Sequence, residues 1–186
     1  MKSEKEKMLA GELYFPGDRN LMDDRLMAKM LISEYNSTKP TEEDERKEII
    51  ERLIITNGNI KIRSPFYCDY GYNIEVGENF YANVSCIILD VNKVIIGDNV
   101  MLGPNVQIYT ASHPLDPKDR IKKLELSKPI TIEDNVWVGG GTIILPGVTI
   151  GKNTTIGAGS VVTKDIPEDV LAVGNPCKVI KKINSL

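Results

Sequence analysis

Aliphatic residues recur at every sixth position through the second half of the chain. Stepping by six from Ile132 reaches Val138, Ile144, Ile150, Ile156 and Val162, and stepping from Ile96 reaches Leu102 and Ile108. The gap from Ile108 to Ile132 is itself a multiple of six. Four residues after these positions stand Val100, Val106, Val136, Thr142, Val148, Thr154 and Ser160, all small or β-branched. An amphipathic helix repeats near 3.6 and a flat strand near 2, so neither explains a period of six. The pattern predicts a coil of short strands and tight turns. Its aliphatic residues point inward and stack from one coil to the next. Gly97, Gly103, Gly139, Gly151 and Gly157 directly follow aliphatic positions, and Asn99, Asn105, Asn135 and Asn153 recur nearby. Both sets are expected to supply turns with positive φ. Upstream the period slips. Ile62, Cys68 and Ile74 are spaced by six, Val76, Ala82 and Ile88 form a run offset by two, and Ile88 to Ile96 is eight. Bulges or small loops between coils account for these slips.

Two stretches break the repeat. Residues 1–60 lack it and read as a helical cap, followed by a repeat domain over 61–186. Ser3 and Glu6 fit a capping box that opens a short helix ending near Gly11. Leu26, Met27, Met30 and Leu31 form an apolar stripe after Asp23 and Asp24, which predicts a second helix with that stripe buried. Thr41, followed by Glu42, Glu43 and Asp44, signals a third helix, whose buried face is Ile49, Ile50, Leu53 and Ile54. These helices either pack on the first coils or form a detachable arm. The second break, 109–128, is a long loop inside a regular solenoid, and such loops are often functional. It holds His113, the single histidine of the 186 residues.

Composition narrows the function. A formal net charge of −3 argues against a general nucleic-acid binder. No apolar run reaches the roughly 18 residues needed to span a bilayer, and the charged N-terminus is unlike a signal peptide. Three cysteines without metal-like spacing suit a reduced, cytoplasmic setting. Lys178, Lys181 and Lys182 cluster near the C-terminus, either as a solvated tail or as an anion site. Histidine ordinarily titrates near 6.5 and so serves as a base near neutral pH. His113 is therefore a candidate for removing a hydroxyl proton. Asn83 is an acceptor contact or a turn residue, Asp69 and Asp90 either bind hydroxyls or cap turns, and Trp137 is outer packing or a groove wall.

Several segments together resemble the maltose and galactoside O-acetyltransferase family of hexapeptide-repeat acyltransferases. They are residues 4–14, EKEKMLAGELY; residues 68–74, CDYGYNI; residues 108–114, IYTASHP; and Gly174-Asn175-Pro176. The resemblance covers nearly the whole chain. It implies a mainly β fold, a left-handed parallel β-helix with an N-terminal helical cap. It also implies a homotrimer with active sites between subunits, using acetyl-CoA and a sugar acceptor and requiring no metal. Carried over position by position, His113 is the catalytic base. Asp18, Asp69, Tyr81, Asn83 and Asp90 approach the acceptor, and Gly140, Ala158, Thr163, Lys164 and Lys178 contact coenzyme A. Gly140 stands where the galactoside enzymes carry a serine, so only its backbone N–H is available there.

Three other readings remain open on the sequence. A γ-class carbonic anhydrase shares the coil but needs three histidines at each zinc, against one per chain here. An acetyltransferase with a non-sugar acceptor would keep the histidine. A non-catalytic scaffold would need neither base nor coenzyme A contacts.

Overall fold

In the computed structural model, which describes residues 2–56 and 58–183, the six-residue repeat becomes a parallel β-helix of about six turns. Three strands make each coil. Ile55–Thr56, Lys61–Ile62 and Phe66–Cys68 form the first coil, so the helix begins slightly before the boundary expected at residue 61. The first face stacks Ile55–Thr56, Ile74–Val76, Val94–Ile96, Ile130–Ile132 and Thr149–Ile150. The second runs from Lys61–Ile62 through Tyr81–Ala82, Met101–Leu102, Trp137–Val138 and Thr155–Ile156 to Val170–Val173. The third stacks Phe66–Cys68, Cys86–Leu89, Gln107–Tyr109, Ile143–Ile144 and Val161–Val162.

Register explains the repeat. Ile96, Ile132 and Ile150 are direct partners on the first face, as are Leu102, Val138 and Ile156 on the second and Ile108, Ile144 and Val162 on the third. All nine are buried, as are the seven small or β-branched positions. Each parallel rung therefore covers the apolar face of the next, which a single rung cannot do alone. The interior hydroxyls are satisfied locally: Thr142 Oγ1 donates to Gly139 O at 2.7 Å, and Thr154 Oγ1 to Pro167 O at 2.8 Å.

The turn residues divide their work differently from expectation. Asn99, Asn105, Asn135 and Asn153 do adopt positive φ. Asn79, Asn99, Asn135 and Asn153 also form an amide ladder along one edge, each Nδ2 donating to the next residue's side-chain oxygen and the last to Asp169. The glycines after the aliphatic positions do not adopt positive φ; Gly141, Gly147 and Gly159 do. Gly97, Gly103, Gly139 and Gly151 are needed because the next coil lies too close for a Cβ. One added at Gly139 would sit 2.5 Å from Ala158 N. Gly139→Ala is thus expected to destabilise by about 2 kcal/mol through overpacking. An unchanged denaturation midpoint would show that the coils can separate freely.

Helix α1 (Glu4–Leu9) opens with the expected capping box at Ser3 and Glu6. Helix α2 (Arg19–Ser37) buries Leu21, Ala28, Ile32 and Tyr35. The stripe expected to be buried lies mostly outside: Leu26, Met27 and Met30 are each more than half exposed, and only Leu31 packs partly against the core. The helix begins at Arg19, four residues before Asp23, and the face it turns to the first coil is the one carrying Ala28, Ile32 and Tyr35. Helix α3 (Glu43–Leu53) buries Ile49, Ile50 and Leu53 as expected, with Ile54 following.

Helices α2 and α3 close the open end of the coil. Their apolar residues join one core with Ile62, Phe66 and Cys68. Asn36 takes the place of a missing strand: its Nδ2 donates to Phe66 O, and its Oδ1 accepts from Phe66 N, both at 2.9 Å. Tyr35 donates to Ile62 O. The first strands are edges that would otherwise offer unpaired backbone. At the far end, Lys178–Lys182 closes the second face antiparallel to Val170–Val173. The lysine cluster is therefore part of a paired strand, exposed along its length.

Candidate active site

The slips in the repeat all fall on one edge of the prism, between the third and first faces. The inward positions across this edge are eight residues apart from Cys68 to Val76 and from Ile88 to Ile96, then 24 apart from Ile108 to Ile132. On the next coil, Ile144 to Ile150 returns to six. Three stacked coils thus project extra chain at the same edge, and the longest projection carries His113.

That projection is ordered at its base. Ala111–Ser112 pairs antiparallel with Leu126–Ser127, and a short helix, α4 (Pro117–Ile121), is capped by Asp116. Thr110 Oγ1 donates to Leu89 O at 2.7 Å and accepts from Asn92 N at 2.9 Å. Asn92 Nδ2 donates to Ser127 Oγ at 2.9 Å, and Ser127 Oγ donates to Met8 O at 2.6 Å. His113 is exposed, with Nδ1 3.4 Å from Leu124 O.

Asp69 is half-buried on the same edge, in the projection of the first coil. Burial pushes its carboxyl up, while Arg25 and Lys29 of α2 pull it down and Glu125 adds to the rise. Asp90, expected to approach the acceptor, is fully buried. Its Oδ1 accepts from Asp69 N at 3.0 Å and Tyr70 N at 2.9 Å, and its Oδ2 accepts from Asn73 N at 3.3 Å. Of the two roles open to it, it takes the turn cap, shaping the projection that presents Asp69. Asp18 caps α2 by accepting from Asn20 N and Leu21 N. Arg25 ties that segment to the edge, donating to Pro16 O and to the Tyr70 hydroxyl, both at 2.6 Å.

The second–third edge carries the other expected residues. Ala82, Leu102, Val138 and Ile156 are in register, so Asn83 stacks with Gly103, Gly139 and Gly157, and the following residues are Val84, Pro104, Gly140 and Ala158. Asn83 is half-buried, and its Oδ1 accepts from Val84 N at 2.8 Å. Gly140 is half-buried against Pro104, and its N–H has no hydrogen-bond partner among the described residues. Tyr81 lies half-buried on the outer second face, in register with Met101 and Trp137; both of these are about half exposed. Lys178 is exposed on the closing strand beyond.

Thr163 and Lys164 follow Val162 and so return to the third–first edge, two coils beyond His113. Within one chain, eight of the eleven expected residues therefore form two groups on two edges, while Asp18, Tyr81 and Lys178 lie on α2's cap, the second face and the closing strand. His113, Asp69, Asp90, Thr163 and Lys164 share one edge, and Asn83, Gly140 and Ala158 share the other. Arg25, Tyr70, Glu125 and Tyr14 cluster around the first group without having been expected from sequence. No spacing signals them, since they come from α2, two loops and the cap.

A family model described as the maltose acetyltransferase hexapeptide capping motif matches residues 7–56, and the bacterial transferase hexapeptide model matches residues 129–164. Galactoside O-acetyltransferase of Escherichia coli is 45% identical over 180 residues, covering 96% of this chain and 89% of that protein. The solved structure of a maltose O-acetyltransferase from Clostridium difficile 630 superposes with a TM-score of 0.98 at 55% identity, covering 99% of both chains. A galactoside acetyltransferase in complex with coenzyme A superposes with a TM-score of 0.95 at 41% identity, covering 99% of this chain and 92% of that one. With these likenesses spanning the cap, the coils and the projecting loop together, the chain belongs to the maltose and galactoside O-acetyltransferase family of hexapeptide-repeat acyltransferases.

Proposed function

We propose that this protein transfers an acetyl group from acetyl-CoA to a hydroxyl of a sugar such as maltose, glucose or a galactoside. The observation that carries this reading is the division of the candidate residues between two edges of one prism. A second copy laid edge to edge would bring the His113 edge of one subunit against the Gly140 edge of its neighbour. Closed cyclic symmetry then yields a homotrimer with three equivalent clefts.

In such a cleft, neutral His113 takes the hydroxyl proton at Nε2 as the acceptor oxygen attacks the thioester carbonyl. The carbonyl oxygen gains negative charge, and the unpartnered Gly140 N–H stabilises it as a preorganised donor. The C–S bond breaks, the proton passes to the leaving thiolate, and the acetyl ester remains on the sugar. Asn83, Tyr81, Asp69 and Asp18 supply polar contacts to the acceptor, and Asp90 holds the turn beneath Asp69. Gly140, Ala158, Thr163 and Lys164 border the coenzyme, and Lys178 pairs with one of its phosphates.

The test couples thiol release from acetyl-CoA to a panel of maltose, glucose, a galactoside, small alcohols and amines, with light scattering on the same sample. Turnover on a sugar by a trimer is expected. Coenzyme A binding without turnover on any hydroxyl would point to a scaffold, and turnover on amines alone would replace the sugar acceptor. A stable, active monomer would sink the shared cleft.

A further inference from the structure

The projection that carries His113 is tied to the N-terminal segment at a point the reaction itself does not use. Tyr14 and Glu125 form an isolated antiparallel pair. Tyr14 N donates to Glu125 O at 3.2 Å, and Glu125 N donates to Tyr14 O at 3.1 Å. The Tyr14 hydroxyl donates to Glu125 Oε2. Tyr14 is 1% exposed and packs with Met8, Leu21, Tyr70 and Val91. Leu124, the residue before Glu125, presents the carbonyl that lies 3.4 Å from His113 Nδ1. A carbonyl can only accept, so this contact is a hydrogen bond when Nδ1 carries the proton. Nε2 is then the nitrogen with the free lone pair.

We infer that Tyr14 is a positioning residue: by clasping Glu125 it sets the Leu124 carbonyl against His113 and holds the imidazole in the tautomer that accepts a proton at Nε2. This rests on the reading of His113 as the base. Between the hairpin and Glu125 the chain is otherwise loosely held. Helix α4 buries no residue, and Leu115 and Ile121 are largely exposed. The hydrogen bonds of Ser127 and Asn92 fix the inner end of the hairpin, and the Tyr14–Glu125 pair fixes its outer end. Arg25, Asp69 and Tyr70 are the other charged or titratable groups around the pair. Burial, with Glu125 as acceptor, raises the Tyr14 hydroxyl far above its ordinary value, so it stays a donor at any working pH.

Tyr14→Phe tests this, because it keeps the buried ring and removes only the hydroxyl. The expected kcat falls about tenfold, the low end of the loss when the group that orients a metal-binding histidine is removed. KM for acetyl-CoA should stay unchanged. The acid limb of the pH–rate profile should move to lower pH, because a weakened acceptor at Nδ1–H favours the imidazolium less. Glu125→Gln still accepts from Tyr14 through Oε1 and should retain kcat, while Glu125→Ala should copy Tyr14→Phe. A Tyr14→Phe enzyme with wild-type kcat and an unmoved limb overturns the inference. So does a kcat loss that follows a lower melting temperature with the limb in place. If Tyr14→Phe fails to fold, the Glu125 pair decides: equal kcat in Glu125→Gln and Glu125→Ala overturns it. His113→Ala, measured alongside, separates the two layers. Wild-type kcat there removes the base and the clasp together, whereas loss of activity there beside an unaffected Tyr14→Phe removes the clasp alone.

Discussion

His113→Ala should lower kcat by roughly 10²–10⁴-fold, the usual contribution of a positioned general base. His113 is exposed, lies outside the aliphatic columns, and among the described residues its side chain makes one hydrogen-bond contact, at 3.4 Å to Leu124 O. Its removal should therefore leave the melting temperature nearly unchanged. Binding of acetyl-CoA should survive as well, since Gly140, Ala158 and Lys178 lie on other segments. The wild-type rate should fall as acid protonates the imidazole, because only the neutral ring can take a proton. The variant should lose that limb. Steady-state kinetics across pH with a saturating sugar, plus a melting curve for each protein, is the measurement. A folded His113→Ala protein with near-wild-type kcat would leave the reaction without its base.

Asp90→Ala should destabilise the fold by on the order of 3–4 kcal/mol. Three backbone N–H groups, of Asp69, Tyr70 and Asn73, converge on the buried carboxylate. Each buried donor left unsatisfied costs about 1–3 kcal/mol. The same turn presents Asp69, so activity should fall with stability. Urea denaturation gives the number, and a loss below about 1 kcal/mol would show that the turn does not depend on its cap. Asp90 also carries a pH signature. Burial pushes its carboxyl up to about 7, against the N–H donors of Tyr70 and Asp69, which pull it down. A carboxyl raised above its unfolded value holds its proton more tightly in the folded state. Its pH-linked stabilisation is therefore full below about pH 4 and is lost as pH rises toward 7. Wild type should lose stability over that window relative to Asp90→Asn, which exchanges no proton.

The period of six by itself implied a coil of short strands and tight turns, and the family resemblance made that coil a left-handed β-helix with a helical cap. Every residue of the repeat from Ile132 to Val162 is buried in the column the spacing implies, because a coil of three short strands returns an inward position every sixth residue. The capping box at Ser3 and the buried face of α3 were equally legible, since both depend on neighbours a few residues away in the chain. The stripe on α2 misled for the opposite reason. Leu26, Met27 and Met30 are apolar, but which face of a helix turns inward depends on what it packs against, here the first coil. The glycines after the aliphatic positions were recognisable as special, yet their cause is the backbone of the next coil, which lies 16 or more residues away in sequence. The site divides in the same way. His113 stood out as the single histidine in the one long break. That the slips at residues 68–76 and 88–96 share an edge with it follows only from register between coils. The tertiary structure alone brought Tyr14 to Glu125 and Arg25 to Tyr70, contacts 111 and 45 residues apart. It also buried Asp90, because a carboxylate's role as ligand contact or turn cap depends on which N–H groups the fold aims at it.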